Sequence, residues 1–154
     1  MTPYRKLPEP PVDSSEGKIL ARLVDGIGYR YQLATAGFTE KEINFCPVEG
    51  SMNMMELIRH IYGLMTWTAS AFKLPYQPKK MSQFEEYRIE TLNLCQSFSD
   101  FLANQSDESI RMASVYLKRM DKHFSFWLRL ILANFLKCLI ILKKVFFSFM
   151  LALI

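Results

Sequence analysis

Four times along this chain of 154 residues, a helix-capping residue is followed three positions later by glutamate and then by an apolar run. The pairs are Asp13…Glu16, Thr39…Glu42, Asn53…Glu56 and Ser82…Glu85. In such a pair the first side chain accepts a bond from an early helix amide, and the glutamate reaches back to the cap amide. One match is common by chance. Four, each ahead of an apolar stretch, divide the chain into helices. No segment alternates apolar and polar residues with a period of two, so no strand is expected.

The first helix is expected to run for about twenty residues, with Ile19, Leu20, Leu23, Val24, Ile27 and Tyr31 as one apolar stripe. Gly37 is its left-handed stop. Thr39 opens a short turn before Pro47 and Gly50 break the chain. The Asn53 helix has a hydrophobic staple between Met52 and Leu57, and Pro75 ends it. Leu57, Ile58, Ile61, Leu64, Met65 and Thr68 form its buried face. Lys73–Lys80, with Pro75 and Pro78, reads as a linker. The Ser82 helix runs to about Asn104, with Phe84, Ile89, Leu92, Cys95, Phe98 and Leu102 inward. Residues 107–122 suit a crossover helix through Ile110, Ala113, Leu117 and Met120. Three helices of about 30 Å each ask for a fourth to close a core.

Charge is divided unevenly. Residues 1–110 hold eleven Lys/Arg against fourteen Asp/Glu, whereas residues 111–154 hold eight against Asp121 alone. The cations of the basic end are interleaved with continuous apolar residues, unlike a solvated basic patch with exposed stacking aromatics, so no nucleic-acid partner is expected. Cys46, Cys95 and Cys138 are odd in number and widely spaced. That argues against a disulfide framework or structural zinc site and fits a reducing, cytoplasmic setting. Cys46 and Cys95 read as packing residues rather than nucleophiles. The first thirteen residues lack the apolar core of a secretory signal; with four prolines they read as an extended arm.

Glu56, His60, Gly63 and Trp67 are three or four residues apart and share one side of their helix. An imidazole beside a small residue and a large aromatic wall can hold a metal over a pocket. The plainer reading is a hydrogen-bonded histidine at the core edge and a tryptophan that simply packs. The stretch AGFTEKEINFCPVEGSMNMMELIRHIYGLMTWTASAF, Ala36–Phe72, resembles the first half of the DinB/YfiT-like proteins. The likeness covers about residues 15–105 and continues more weakly through SVYLKRMDKHFSFW, Ser114–Trp127.

The resemblance implies an all-α, DinB-like four-helix bundle of up-down-down-up type, with a crossover segment before the last helix. It also implies metal-dependent hydrolase or thiol-dependent transferase chemistry on an unknown small molecule. Members commonly hold a divalent metal such as zinc or nickel through one histidine on the second helix and a His-x-x-x-His pair on the last. His60 matches the first ligand, and Glu56, Tyr62, Gly63 and Trp67 would line the pocket. The pair has no match, because His123 precedes the expected helix and no histidine follows it. One imidazole leaves a divalent ion mostly hydrated, whereas catalytic sites generally use about three protein ligands. The metal site is therefore expected to be incomplete, and the cofactor doubtful in this chain.

Phe126–Ile154 departs from the rest. It contains no Gly, Pro, acid or His, and eighteen of its 29 residues are Leu, Ile, Phe or Val. As a fourth helix it would fill the seam with Phe126, Leu130, Phe135, Leu139, Leu142 and Phe146, but its other faces are apolar too. As a membrane span, the apolar residues contribute roughly −8 kcal/mol against about +9 for Lys137, Lys143 and Lys144 if deeply placed. Phe, Leu, Ile, Lys and Asn are largely encoded by A/T-rich codons, and this composition with its abrupt onset favours a third origin, a frameshift. The expected organisation is thus an arm over 1–13, a helical domain over 14–125, and an apolar terminal helix or tail over 126–154. The alternatives to a metalloenzyme-like protein are a non-catalytic binding or homodimerising module, and a protein held at a membrane by residues 126–154.

Overall fold

The two central capping pairs close as the sequence demands. In the computed structural model, which describes residues 2–46 and 49–118, α2 (Glu40–Ile43) begins at Thr39 and α3 (Met54–Ala71) at Asn53. Asn53 Oδ1 accepts from Glu56 N while Glu56 Oε2 accepts from Asn53 N, both at 2.9 Å. Thr39 and Glu42 make the same reciprocal pair at 3.4 and 2.7 Å. The described residues are helical, with no strand among them.

The outer two pairs do not form. α1 (Glu16–Thr35) starts after Ser15, whose side chain caps nothing. Asp13 instead accepts from Ser15 N at 3.3 Å and pairs with Lys18. The Glu16 amide is capped from 91 residues away, by Asp107 Oδ1 at 2.9 Å. Asp107 is the first residue of α5 (Asp107–Lys118), and Arg111 on its next turn donates to Glu16 Oε1 at 2.8 and 3.0 Å. α4 (Phe84–Ala103) begins one residue later than expected, after Gln83. Glu86, not Glu85, accepts from the Ser82 and Gln83 amides, each at 3.0 Å. Glu85 is turned to Arg88, a buried cation that also donates to Gln32 Oε1 on α1 at 2.6 Å.

α4 lies between α1 and α3. Towards α1 it presents Arg88, Ser99 and Leu102; Ser99 Oγ donates to the Ala21 carbonyl at 3.2 Å. The start of α1 meets the end of α4, so these two run antiparallel. Towards α3 it presents Tyr87 and Phe98, whose rings meet Tyr62 and Phe72 at 5.6 and 5.4 Å between centroids. Those contacts ascend both helices together, so α3 and α4 run parallel.

The face that α1 buries is Gly17, Ala21, Val24, Gly28, Tyr31 and Thr35, not the stripe expected. Val24 and Tyr31 are inside, Leu20 and Ile27 half-buried, while Ile19 and Leu23 are 50% and 44% exposed. The reason is steric. A Cβ on Gly17 would stand 2.3 Å from the Leu102 carbonyl oxygen, so the two helix backbones touch there. Close approach along small residues outweighed the larger but displaced apolar stripe.

The α3 face follows expectation more closely: Leu57, Ile58, Ile61, Met65 and Thr68 are buried and Leu64 half-buried, with Met54, Tyr62 and Ala69 added. Met52 is 53% exposed, so it does not cover Leu57 as a staple would. On α4, Phe84, Leu92, Cys95, Phe98 and Leu102 are buried and Ile89 half-buried. Ile110 is buried on α5; the rest of its stripe, Ala113, Leu117 and Met120, lies outside the described side chains.

Gly37 stops α1 at φ 79°, as expected. α3 ends before Pro75 at a left-handed residue, Lys73 with φ 60°. There the Leu74 and Lys73 amides bond back to the Ala69 and Ser70 carbonyls, both at 2.9 Å. Because α3 and α4 are parallel, the chain must then return the whole length of α3, about 27 Å for its 18 residues. Extended residues cover at most about 3.3–3.6 Å each, and Pro75 and Pro78 hold the return extended. The segment expected as a plain linker is therefore a crossover. The terminal segment 126–154, with His123, Trp127 and Cys138, lies outside the described residues.

Gly17 and Gly63 make a matched test of the α1–α4 contact, since a Cβ on Gly63 would meet nothing within 4 Å. In urea unfolding, Gly17→Ala should destabilise by about 2–3 kcal/mol through overpacking. Gly63→Ala should stabilise by up to about 1 kcal/mol through helix propensity. The Tyr31 hydroxyl, fully buried against α4, has no hydrogen-bond partner among the described residues. Thr91 acts on the phenol, but its hydroxyl donates to the Tyr87 carbonyl at 2.7 Å and is not placed to bond the Tyr31 oxygen. Tyr31→Phe should accordingly leave the midpoint unchanged or raise stability by up to about 1 kcal/mol.

Candidate functional site

Helical spacing in α3 puts Glu56, His60, Gly63 and Trp67 on one exposed face, with Trp67 at 41% exposure. Glu56 is committed to the cap through Oε2. His60 is exposed and makes no hydrogen bond to another described residue. An ion at this face would find one imidazole and a carboxylate already engaged. Among the described residues no group of three or more His, Cys, Asp or Glu side chains is placed to hold a metal. The described residues therefore do not fit a complete metal centre.

Tyr62 does not join that face. It is buried at 6% exposure and belongs to a polar cluster on the side of α3 that meets α4 and the crossover. The bonds in this cluster have one consistent direction. Tyr76 donates to Glu90 Oε1 at 2.9 Å, which uses its only proton. The 2.7 Å contact between the Tyr62 and Tyr76 hydroxyls must then be donated by Tyr62. Tyr62 oxygen accepts from the Lys79 amide at 3.0 Å, and Lys79 Nζ closes on Glu90 Oε2 at 2.9 Å. Tyr87 packs edge-on to Tyr62, and the Arg59 guanidinium lies 5.7 Å over its ring.

Glu90 is 7% exposed, so the cluster neutralises a buried carboxylate. Burial alone would push its carboxyl upward; the bonds from Lys79 and Tyr76, with the Lys79 charge, together outweigh that and hold it below the ordinary value. Burial and the bonds to Tyr62 and Glu90 push the Tyr76 phenol upward, keeping it a neutral donor. The arrangement fastens the crossover to α3 and α4. Nothing in the sequence spacing pointed to it, because Tyr62, Tyr76, Lys79 and Glu90 come together through the reversal of the chain between parallel helices.

The cysteines divide. Cys95 is fully buried on α4, where burial and then the Asp25 carboxylate push its thiol up to about 12. A thiol so raised is not a nucleophile near neutral pH. Cys46, expected to pack, is exposed; its sulfur lies 3.1 Å from the Ser51 carbonyl and 3.3 Å from Ser51 Oγ. A shallow surface hollow of about 420 Å³ lies between Pro11–Ser14 and Ile19, Arg22 and Leu23. It is remote in sequence from the His60 face and carries no grouped chemistry. Among the described residues no helix is long and apolar enough to cross a membrane.

A depressed carboxyl stabilises the fold above its unfolded value and loses that contribution as pH falls through the folded one. The stability difference between the wild type and Glu90→Gln, from denaturant unfolding at a series of pH values, should therefore shrink as pH drops below about 4.5. At neutral pH, Tyr76→Phe should cost about 1–3 kcal/mol, since it strands Tyr62 and one Glu90 oxygen. In comparison with known proteins, no family model, no curated protein and no solved structure matches this chain.

Proposed function

We propose that this chain is a DinB-like helical protein whose metal site is incomplete, a relative in form of metal-dependent hydrolases and thiol-dependent transferases without their full ligand set. The observation that carries this reading is the α3 face: an exposed His60 beside a Glu56 already engaged in its cap. The directions of the helices support the finer topology. α1 runs against α4 and α3 runs with it, the first three steps of an up-down-down-up bundle. In that reading the seam between α1 and α3 is where a fourth helix would pack.

A non-catalytic binding role is favoured by a second observation. Ile19, Leu23 and Leu33 are 50%, 44% and 62% exposed along the outer side of α1. Such a row suits a helix of the same chain or of a second copy, as in a homodimer. A cytoplasmic setting, with membrane association only through residues 126–154, belongs to the same proposal.

Elemental analysis of the purified protein tests the reading. Well under one equivalent of zinc or nickel is expected, with no change in His60→Ala. Near one equivalent, lost in that variant, would show that other side chains complete the centre and would overturn it.

A further inference from the structure

Residues 5–14 of the arm are exposed, yet Tyr4, just ahead of them, is 7% exposed and part of the core. Its backbone stands at φ 58°, in the left-handed region that is unfavourable for a bulky residue. What holds it is a seat on α1. A Cβ on Gly28 would lie 2.5–2.8 Å from three atoms of the Tyr4 ring, so the ring rests directly on helix backbone. The hydroxyl donates to Asp25 Oδ1 at 3.0 Å, one turn earlier on the same helix. Cys95 and Asp100 of α4 are near enough to act on it electrostatically. Burial first, then electrostatic interaction with Cys95 and the Asp25 carboxylate, pushes the phenol upward and keeps it in the donating form.

The seat has the elements of a ligand site: a flat floor where glycine omits a side chain and a carboxylate acceptor at one end. Its present occupant is only loosely retained by the rest of the arm. Between Tyr4 and Asp13 the one hydrogen bond to a helix among the described residues is from Arg22 Nη1 to the Pro8 carbonyl. Pro3, Pro8, Pro10 and Pro11 restrict the released arm, which keeps Tyr4 at high local concentration over its seat.

We propose that Gly28 and Asp25 form a binding site for a 4-substituted phenol, and that Tyr4 is its tethered occupant. The arm is then a built-in competitor, and a free phenolic ligand gains entry only when Tyr4 is withdrawn. The hydroxyl sets the preference, because a ring without one leaves Asp25 unpaired beneath it.

The probe is p-cresol, titrated into the full chain carrying Tyr4→Ala and followed by thermal unfolding and by amide NMR. The variant is expected to melt several degrees lower, p-cresol at millimolar concentration to restore most of that loss, and Gly28 and Asp25 amides to shift. Toluene should bind about tenfold more weakly, matching one lost bond to a charged acceptor. Adding Asp25→Ala to the variant should abolish the preference for p-cresol. A folded Tyr4→Ala protein that shows no saturable response to p-cresol overturns the proposal, as does equal binding of toluene. If Tyr4→Ala does not fold, Tyr4→Phe keeps the ring but not the bond. Saturable displacement of its weakened arm by p-cresol then supports the site, and its absence rejects it.

Discussion

The contact on which the rest of this structure depends is one between backbones. α1 lies against α4 along Gly17 and Ala21, and at Gly17 there is no room for even a methyl group between it and the Leu102 carbonyl. Such an approach brings many atoms into van der Waals range at once. It also fixes the rotation of α1. Once the small residues face α4, Val24 and Tyr31 go inside, Ile19 and Leu23 turn out, and the ring of Tyr4 finds a floor at Gly28. The cap of α1 follows the same placement, since only when its start sits beside α5 can Asp107 bond the Glu16 amide.

The second constraint is the parallel pairing of α3 and α4. Parallel neighbours cannot be joined by a tight turn, so the chain between them has to travel back along both. Lys73 accepts a left-handed conformation to begin that return, and two prolines hold it extended. The buried Glu90 then finds its partners on the crossover itself, with Tyr76 and Lys79 donating to it and Tyr62 linking the two. A buried carboxylate left alone would be strongly destabilising; satisfied on both oxygens, it helps fasten three consecutive segments, α3, the crossover and α4.

The His60 face was legible before any coordinates, since a spacing of three and four along a helix decides which residues are neighbours. Whether such a face looks into a pocket is decided by what packs over it, and spacing is silent on that. Tyr62 illustrates the limit. It is two residues from His60 and was grouped with it, but two residues turn a helix far enough to bury Tyr62 against α4 while His60 stays outside. The Tyr4 seat was illegible for a related reason: a proline-rich arm reads as an exposed lead, and nothing in its sequence says that a glycine in the next segment stands under its tyrosine.

By itself the sequence determined that the described residues are helical, where α2 and α3 begin, that α1 stops at Gly37, and most of the inward face of α3. These are local matters, settled by side chains reaching their own backbone and by apolar periodicity within one turn or two. The tertiary structure decided the rest. It replaced the Asp13 cap with Asp107, moved the cap glutamate of α4 from Glu85 to Glu86, and turned α1 onto its small residues. These choices compare contacts between segments far apart in the chain, and close backbone packing and the pairing of buried charges decide them.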